Sequence, residues 1–324
     1  MRAAFIDTIT KLADVDERVI LLTGDIGFGV MEPFRARFPN RFINCGVAEQ
    51  NMMGVSTGLA EAGFIPYVYS IAPFVSLRPF EFIRNGPVAH NLRVRIVGMG
   101  AGFDYGHAGP THFAVEDAAA LRSLAGLTVV MPADGPQTAA AVRMVHALPG
   151  PVYFSLAKES RPAVPGLDGR FELGKVQIVR EGSGLALVVM GALANEAIAA
   201  AEVLARDYKI HPAVIVVSNF NPDPVEPLAQ ILGAFSHIVS VEAQSVSSGL
   251  GACVALAIAR AGLNCRLYPL GIEQAFAGPT GGAAHLWREN RLDRASIVGV
   301  AASAFFKSST TPLSANGIAE TEAL

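Results

Sequence analysis

A short strand end, a glycine turn and a smooth helix are written into residues 41–63, and no other stretch of the 324-residue chain restricts its architecture as tightly. Phe42-Ile43-Asn44 reads as the end of a strand and Gly46 as the turn. Ala48, Met52, Val55, Leu59 and Ala62 then recur at the spacing of one helical face. That face is expected to be buried. Gly54, Gly58 and Ala62 remove side-chain bulk at every fourth position, which predicts close approach by another helix or strand. Glu49 falls in the first helical turn, so a buried helix would hold its carboxylate at a dry junction. At a surface, an acid in that place would only complement the helix dipole.

The rest of the chain alternates strand and helix patterns. Val19–Thr23, Ile65–Ile71, Val94–Gly98, Leu127–Asp134 with its closing proline turn, and Pro151–Leu156 read as strands, with helical periods before and between them. After Arg161–Arg170, rich in proline and glycine, the alternation resumes. It continues with Leu185–Met190, a helix from Asn195 to Arg206, Ala213–Val217 and His237–Glu242. Such alternation predicts an α/β protein of two consecutive parallel-sheet domains. The expected division is a first domain over 1–160, a connector over 161–180, a second domain over 181–305 and a disordered tail over 306–324.

In parallel α/β sheets ligands gather in the loops beyond the strand carboxyl ends. Two loops stand out there: Gly24-Asp25-Ile26-Gly27-Phe28-Gly29 after the first strand, and the glycine-rich run from Met99 to His112. Neither completes a dinucleotide or Walker phosphate-binding pattern, so the second is read as a long active-site loop. Ser247-Ser248-Gly249-Leu250-Gly251 ahead of an alanine-rich helix has the look of a phosphate site, but close helix packing is the preferred reading.

Gly-Val-Ala-Glu-Gln-Asn at 46–51, followed by Gly54-x-x-x-Gly58-Leu-Ala-x-x-Gly63, resembles the pyrimidine-binding domain of the transketolase family of thiamine diphosphate enzymes. Gly109-Pro110-Thr111-His112 with Val115-Glu116-Asp117-Ala118 and Leu121-Arg122 extends the likeness, which runs through a C-terminal domain to about residue 305. The resemblance implies that Glu49 hydrogen-bonds the cofactor's aminopyrimidine ring, that Phe74 stacks on it, and that Asp25 and Ile26 contact the thiamine rings. It also implies that His112 orients or exchanges protons with substrate hydroxyls. Lys158 stands where many family members keep an arginine for a substrate phosphate, and Ala108 where many have a sugar-binding aspartate. Arginine's bidentate fork is not reproduced by lysine, so a different or non-phosphorylated sugar is open. Arg78-Pro79-Phe80-Glu81-Phe82-Ile83-Arg84-Asn85 also matches the family and is assigned a structural role at a subunit interface.

The family's Gly-Asp-Gly motif, which anchors the diphosphate and Mg2+, does not occur in this chain, and no metal-ligand cluster is read from it. The implied arrangement is half a cofactor pocket, completed by a second subunit in an α2β2 heterotetramer that transfers ketol units between sugars. Related alternatives are a deoxyxylulose-phosphate synthase fragment or the β subunit of a 2-oxoacid dehydrogenase, the latter disfavoured by Gly-Pro-Thr-His. A non-catalytic assembly subunit is the alternative of another class. Composition agrees with subunit contacts: 51% of residues are hydrophobic and only 16% charged. A net charge of -3 without a basic run excludes an electrostatic footprint for nucleic acid or an anionic membrane. Three scattered cysteines and an N-terminus without an apolar core region lead to the expectation of a reducing cytoplasm.

Overall fold

Apolar runs without alternation need cover on both faces, and helices supply it here on either side of two sheets. The computed structural model describes residues 1–159, 161–273 and 278–309. The first part runs α1 (Arg2–Val15), β1 (Val19–Thr23), α2 (Glu32–Arg37), β2 (Phe42–Asn44), α3 (Glu49–Glu61) and β3 (Ile65–Ile71). It continues with α4 (Ala72–Ser76), α5 (Phe80–Ile83), β4 (Arg95–Met99), α6 (Asp117–Arg122), β5 (Thr128–Val130), α7 (Gly135–His146) and β6 (Val152–Leu156). The second part runs β7 (Val176–Arg180), β8 (Gly184–Met190), α8 (Ala194–Tyr208), β9 (Ala213–Val217), β10 (Asn219–Asn221) and α9 (Val225–Leu232). It ends with β11 (Phe235–Ser245), α10 (Leu250–Ala261), β12 (Arg266–Ile272), α11 (Ala283–Glu289) and α12 (Arg294–Ser309).

The strands form a seven-stranded sheet, ordered β10-β5-β6-β4-β3-β1-β2, and a five-stranded sheet, ordered β12-β11-β8-β9-β7. Both are parallel except at one edge, where β10 and β7 run antiparallel to β5 and β9. Every residue of β1, β3, β4 and β6 is buried, as two-sided cover requires. Thr23 at the end of β1 lies level with Asn44 of β2 and Tyr69 of β3. The loops that follow these three strands therefore leave from one edge of the sheet, and that edge brings Asp25, Glu49 and Phe74 into one neighbourhood.

Several expectations change in the folded chain. The connector drawn over 161–180 includes β7, which is an edge strand of the second sheet. The second part also sends β10 back to the first sheet, where Asn221 donates to the Leu127 carbonyl at 2.5 Å. Helix α12 continues past 305 to Ser309, and the rest of the expected tail, 310–324, lies outside the described residues. The helix face predicted to be buried is also displaced. In α3 the buried residues are Glu49, Met52, Met53 and Ser56, while Val55 is 39% exposed. A Cβ built on Gly54 or Gly58 meets nothing within 4 Å. Close approach occurs one position aside, where Gly86 packs so tightly on Thr57 that a Cβ there would overlap its hydroxyl. Apolar residues spread over about half of this helix's circumference, from Val55 round to Met53, so the pattern does not fix which stripe within that arc meets the sheet.

Candidate active site

Glu49 is the first residue of α3 and is only 2% exposed. The reason is topological: β3 lies two strands from β2, so Ser70 near its end and the turn beyond α4 fold over the β2–α3 turn. The Ser70 hydroxyl donates to Glu49 Oε1 at 3.1 Å, and the Arg78 guanidinium donates to Oε2 at 2.9 Å. Gly24 completes the wall. A Cβ there would lie 3.2 Å from Ser70 Oγ and 3.5 Å from Glu49 Oε1, so only glycine lets the loop after β1 pass without pressure on this bond.

Phe74, in α4, presents its ring to the same place. The Arg78 guanidinium carbon sits 3.7 Å from the centroid of that ring, a cation stacked on an aromatic face. His112 also packs on Phe74, with ring centroids 4.8 Å apart and planes inclined at 64°. His112 ends a 3-10 turn, Pro110–His112, and its Nδ1 is 3.0 Å from the Thr111 hydroxyl. Burial, and then the Arg78 charge, hold its pKa below the usual histidine value. Glu49, Phe74 and His112, far apart in sequence, thus form one contiguous group through Arg78.

Asp25 and Ile26 flank the group in the loop after β1. Asp25 takes a left-handed backbone (φ 59°) and is clasped by Asn44. The Asp25 N–H donates to Asn44 Oδ1 at 3.2 Å, and the Asn44 amide donates to Asp25 Oδ1 at 2.8 Å. The Ile26 carbonyl accepts from the Thr23 hydroxyl at 2.8 Å. Ile26 and Asn44 line a cavity of about 730 Å³.

Lys158 is placed differently. Its Nζ lies 4.7 Å from the Tyr105 ring centroid, and the Tyr105 and His112 rings are 6.4 Å apart. Tyr105 therefore stands between Lys158 and His112, and its ring fills the space that any side chain at Gly100 would occupy. Lys158 and Arg2 line a cavity of about 570 Å³, together with the acids Asp7 and Glu159.

Beneath the loop bearing His112, a buried polar cluster joins the two parts of the chain. Asp117 Oδ2 accepts from Tyr153 at 2.5 Å and Ser155 at 3.0 Å, and Oδ1 accepts from Gln244 at 2.9 Å. Gln244, from β11, also donates to the Ala114 carbonyl at 2.8 Å. Burial raises the Asp117 pKa above the usual carboxylate value. Asp104 adds a second tie, accepting from the Lys158 N–H and from Arg161, whose guanidinium lies over Trp287. These contacts fix the loop that carries His112. Sequence reasoning missed Arg78, Ser70, Asn44, Tyr105 and Gln244. Only the Leu77-Arg78-Pro79 run, a cation between an apolar residue and a turn former, offered a local signal.

Gly249 to Gly251 is not an open anion site. The Glu242 carboxylate already accepts the first N–H groups of α10, Leu250 at 2.5 Å and Gly251 at 2.7 Å. Among the described residues no group of three or more His, Cys, Asp and Glu side chains could hold a metal ion. Nor is any helix among them long and apolar enough to cross a membrane.

The buried first-turn glutamate and the aromatic ring beside it lie in a stretch that belongs to a known class of domain. Residues 1–162 match the family model "Transketolase, pyrimidine binding domain", and residues 174–297 match "Transketolase, C-terminal domain". The 6-deoxy-6-sulfo-D-fructose transketolase subunit SqwH of Clostridium sp. is 32% identical over 85% of this chain and 85% of its own. An apulose-4-phosphate transketolase subunit of Phocaeicola vulgatus is 32% identical over 78% of this chain and 81% of its own. A solved split gene transketolase, described as an inactive beta4 tetramer, superposes with a TM-score of 0.85. It is 31% identical and covers 94% of this chain and 98% of its own. The chain belongs to the transketolase family and has the domain make-up of the C-terminal subunit of a split transketolase.

Proposed function

We propose that this chain is one subunit of a two-chain, thiamine diphosphate-dependent transketolase, transferring a two-carbon ketol unit from a ketose or its phosphate to an aldose or its phosphate. The observation that carries the reading is the slot between Glu49 and Phe74. A planar, N–H-bearing cation lies there, bonded edge-on to the carboxylate and face-on to the ring. A group of that shape and polarity is what an aminopyrimidine offers, so these residues fit the cofactor ring. Residues 1–160 would supply this half of the pocket and the part from β7 onward the C-terminal domain.

In this reading Glu49 accepts a hydrogen bond from the ring edge, Phe74 stacks on its face, and Asp25 and Ile26 border it. When bound, thiamine diphosphate supplies the nucleophile and electron sink that let a carbon–carbon bond beside a carbonyl break and re-form. His112, held below its ordinary pKa, is neutral near pH 7 and can accept a proton from a substrate hydroxyl. An acidic limb of turnover due to His112 would therefore lie below pH 6.5. Lys158 would contact the far end of the sugar, in a cavity it lines together with Arg2, Asp7 and Glu159. The diphosphate and Mg2+ are assigned to a second chain carrying Gly-Asp-Gly, in an α2β2 assembly in the cytoplasm. Support comes from relatives named as transketolase subunits and from the described inactivity of the beta4 tetramer.

Calorimetric titration of thiamine diphosphate with Mg2+ tests the proposal. Binding is expected for the chain paired with a Gly-Asp-Gly partner and not for the chain by itself. Tight binding by the isolated chain, or none by the assembled pair, would overturn it.

A further inference from the structure

We infer that Arg78 is a stand-in for the cofactor ring: its guanidinium keeps the seat between Glu49 and Phe74 and leaves it when the aminopyrimidine enters. This rests on reading the site as a pyrimidine pocket, and goes beyond it by assigning a residue that must move.

The geometry is specific. One side chain satisfies both recognition elements of the slot, donating to Glu49 Oε2 at 2.9 Å and lying 3.7 Å from the Phe74 centroid. Guanidinium is planar, delocalised and weakly hydrated, and it stacks on aromatic faces while its N–H groups reach a carboxylate. Lysine could make the ion pair but not the stack. A carboxylate 2% exposed must have a partner, and Ser70 satisfies only one of its oxygens. Arg78 satisfies the other.

The two partners differ in freedom. The Glu49 side chain is 3% exposed and that of Arg78 is 41% exposed. Arg78 sits in the turn Leu77–Pro79 between α4 and α5, outside any regular element. Its side chain can rotate into water without unfolding a helix or strand. When it leaves, Ser70 still holds Glu49 Oε1, so the carboxylate stays aimed and Oε2 is released to the incoming ring. The apparent affinity for the ring is then reduced by the fraction of molecules in which Arg78 fills the slot.

The test uses the chain assembled with a partner that carries Gly-Asp-Gly. Thiamine diphosphate with Mg2+ is titrated calorimetrically into pairs carrying the native residue, Arg78→Ala or Arg78→Lys. Arg78→Ala is expected to bind about tenfold tighter, and Arg78→Lys to gain less because the ion pair persists. In a structure of the loaded native pair, the guanidinium should lie away from Glu49 Oε2. Unchanged or weaker binding by Arg78→Ala would show a permanent orienting partner and overturn the inference. A retained Arg78–Glu49 bond in the loaded native pair would do the same, and decides the matter if the alanine variant does not fold. No binding by the native pair would instead remove the pyrimidine-site reading beneath it.

Discussion

Two buried glutamates sit beside helix N-termini in this molecule, one in each part of the chain, and they are used in opposite ways. Glu242, in β11, turns its carboxylate onto the N–H groups of Leu250 and Gly251. Both oxygens are spent on α10's own backbone, and burial pushes the carboxyl up to about 7. Glu49 lies within the first turn of α3 and turns away from the backbone, toward the side chains of Ser70 and Arg78. Backbone donors cannot leave, whereas a half-exposed arginine can. The first arrangement closes a helix end as structure; the second keeps a carboxylate available for exchange.

The largest effect expected to sharpen this contrast is on chemistry. In the assembled pair Glu49→Gln should lower turnover by about a thousandfold, the middle of the range for loss of a proton-handling group. Circular dichroism and the unfolding midpoint should stay near those of the native chain, and a variant keeping substantial turnover would break the contrast.

Next comes pH. The folded chain binds a proton at Glu242 more tightly than the unfolded chain, whose carboxyl titrates near 4.5. Its contribution is therefore most favourable below that value and is lost as pH rises to about 7. The loss is about 3 kcal/mol. Urea unfolding of Glu242→Gln should show its stability, relative to the native chain, improving by about this amount between the two ends of the window. A pH-independent difference would mean that Glu242 is not the group responsible.

The smallest effects come from the glycines that let each glutamate in. A Cβ at Gly249 would overlap the Glu242 carboxylate, so Gly249→Ala should cost about 2–3 kcal/mol in chemical denaturation. At Gly24 the contacts are 3.2 and 3.5 Å, and Gly24→Ala should cost about 1 kcal/mol or less while weakening cofactor binding by the assembled pair severalfold. Equal costs at the two positions would show that the two glutamate sites are equally rigid.

Much of this was legible in the residues and some was not, for identifiable reasons. Val19–Thr23, Ile65–Ile71 and Ala213–Val217 were bounded to the residue, because a fully buried strand is a continuous apolar run closed by turn formers. The edge strands β7, β10 and β12 were missed. Edge strands need little apolar character, and β7 is mostly half-buried. The glutamate, the aromatic ring and the histidine stood out by motif. Arg78 was set aside as interface structure, because only the turn beyond α4 folding back over α3 brings it to Glu49. Gln244 escaped for a related reason: its partner Asp117 is 127 residues away.

By itself the sequence determined the alternation of strand and helix, the two-sheet division and the identity of the acid that opens α3. These follow from local periodicity and turn chemistry, which act over a few residues. Only the tertiary structure decided which face of α3 is buried, what stands against each glutamate and which loop reaches across the pocket. Those outcomes depend on strand order, β2 beside β1 beside β3. Strand order is set by how whole faces bury against one another, and no short stretch of the chain carries that information.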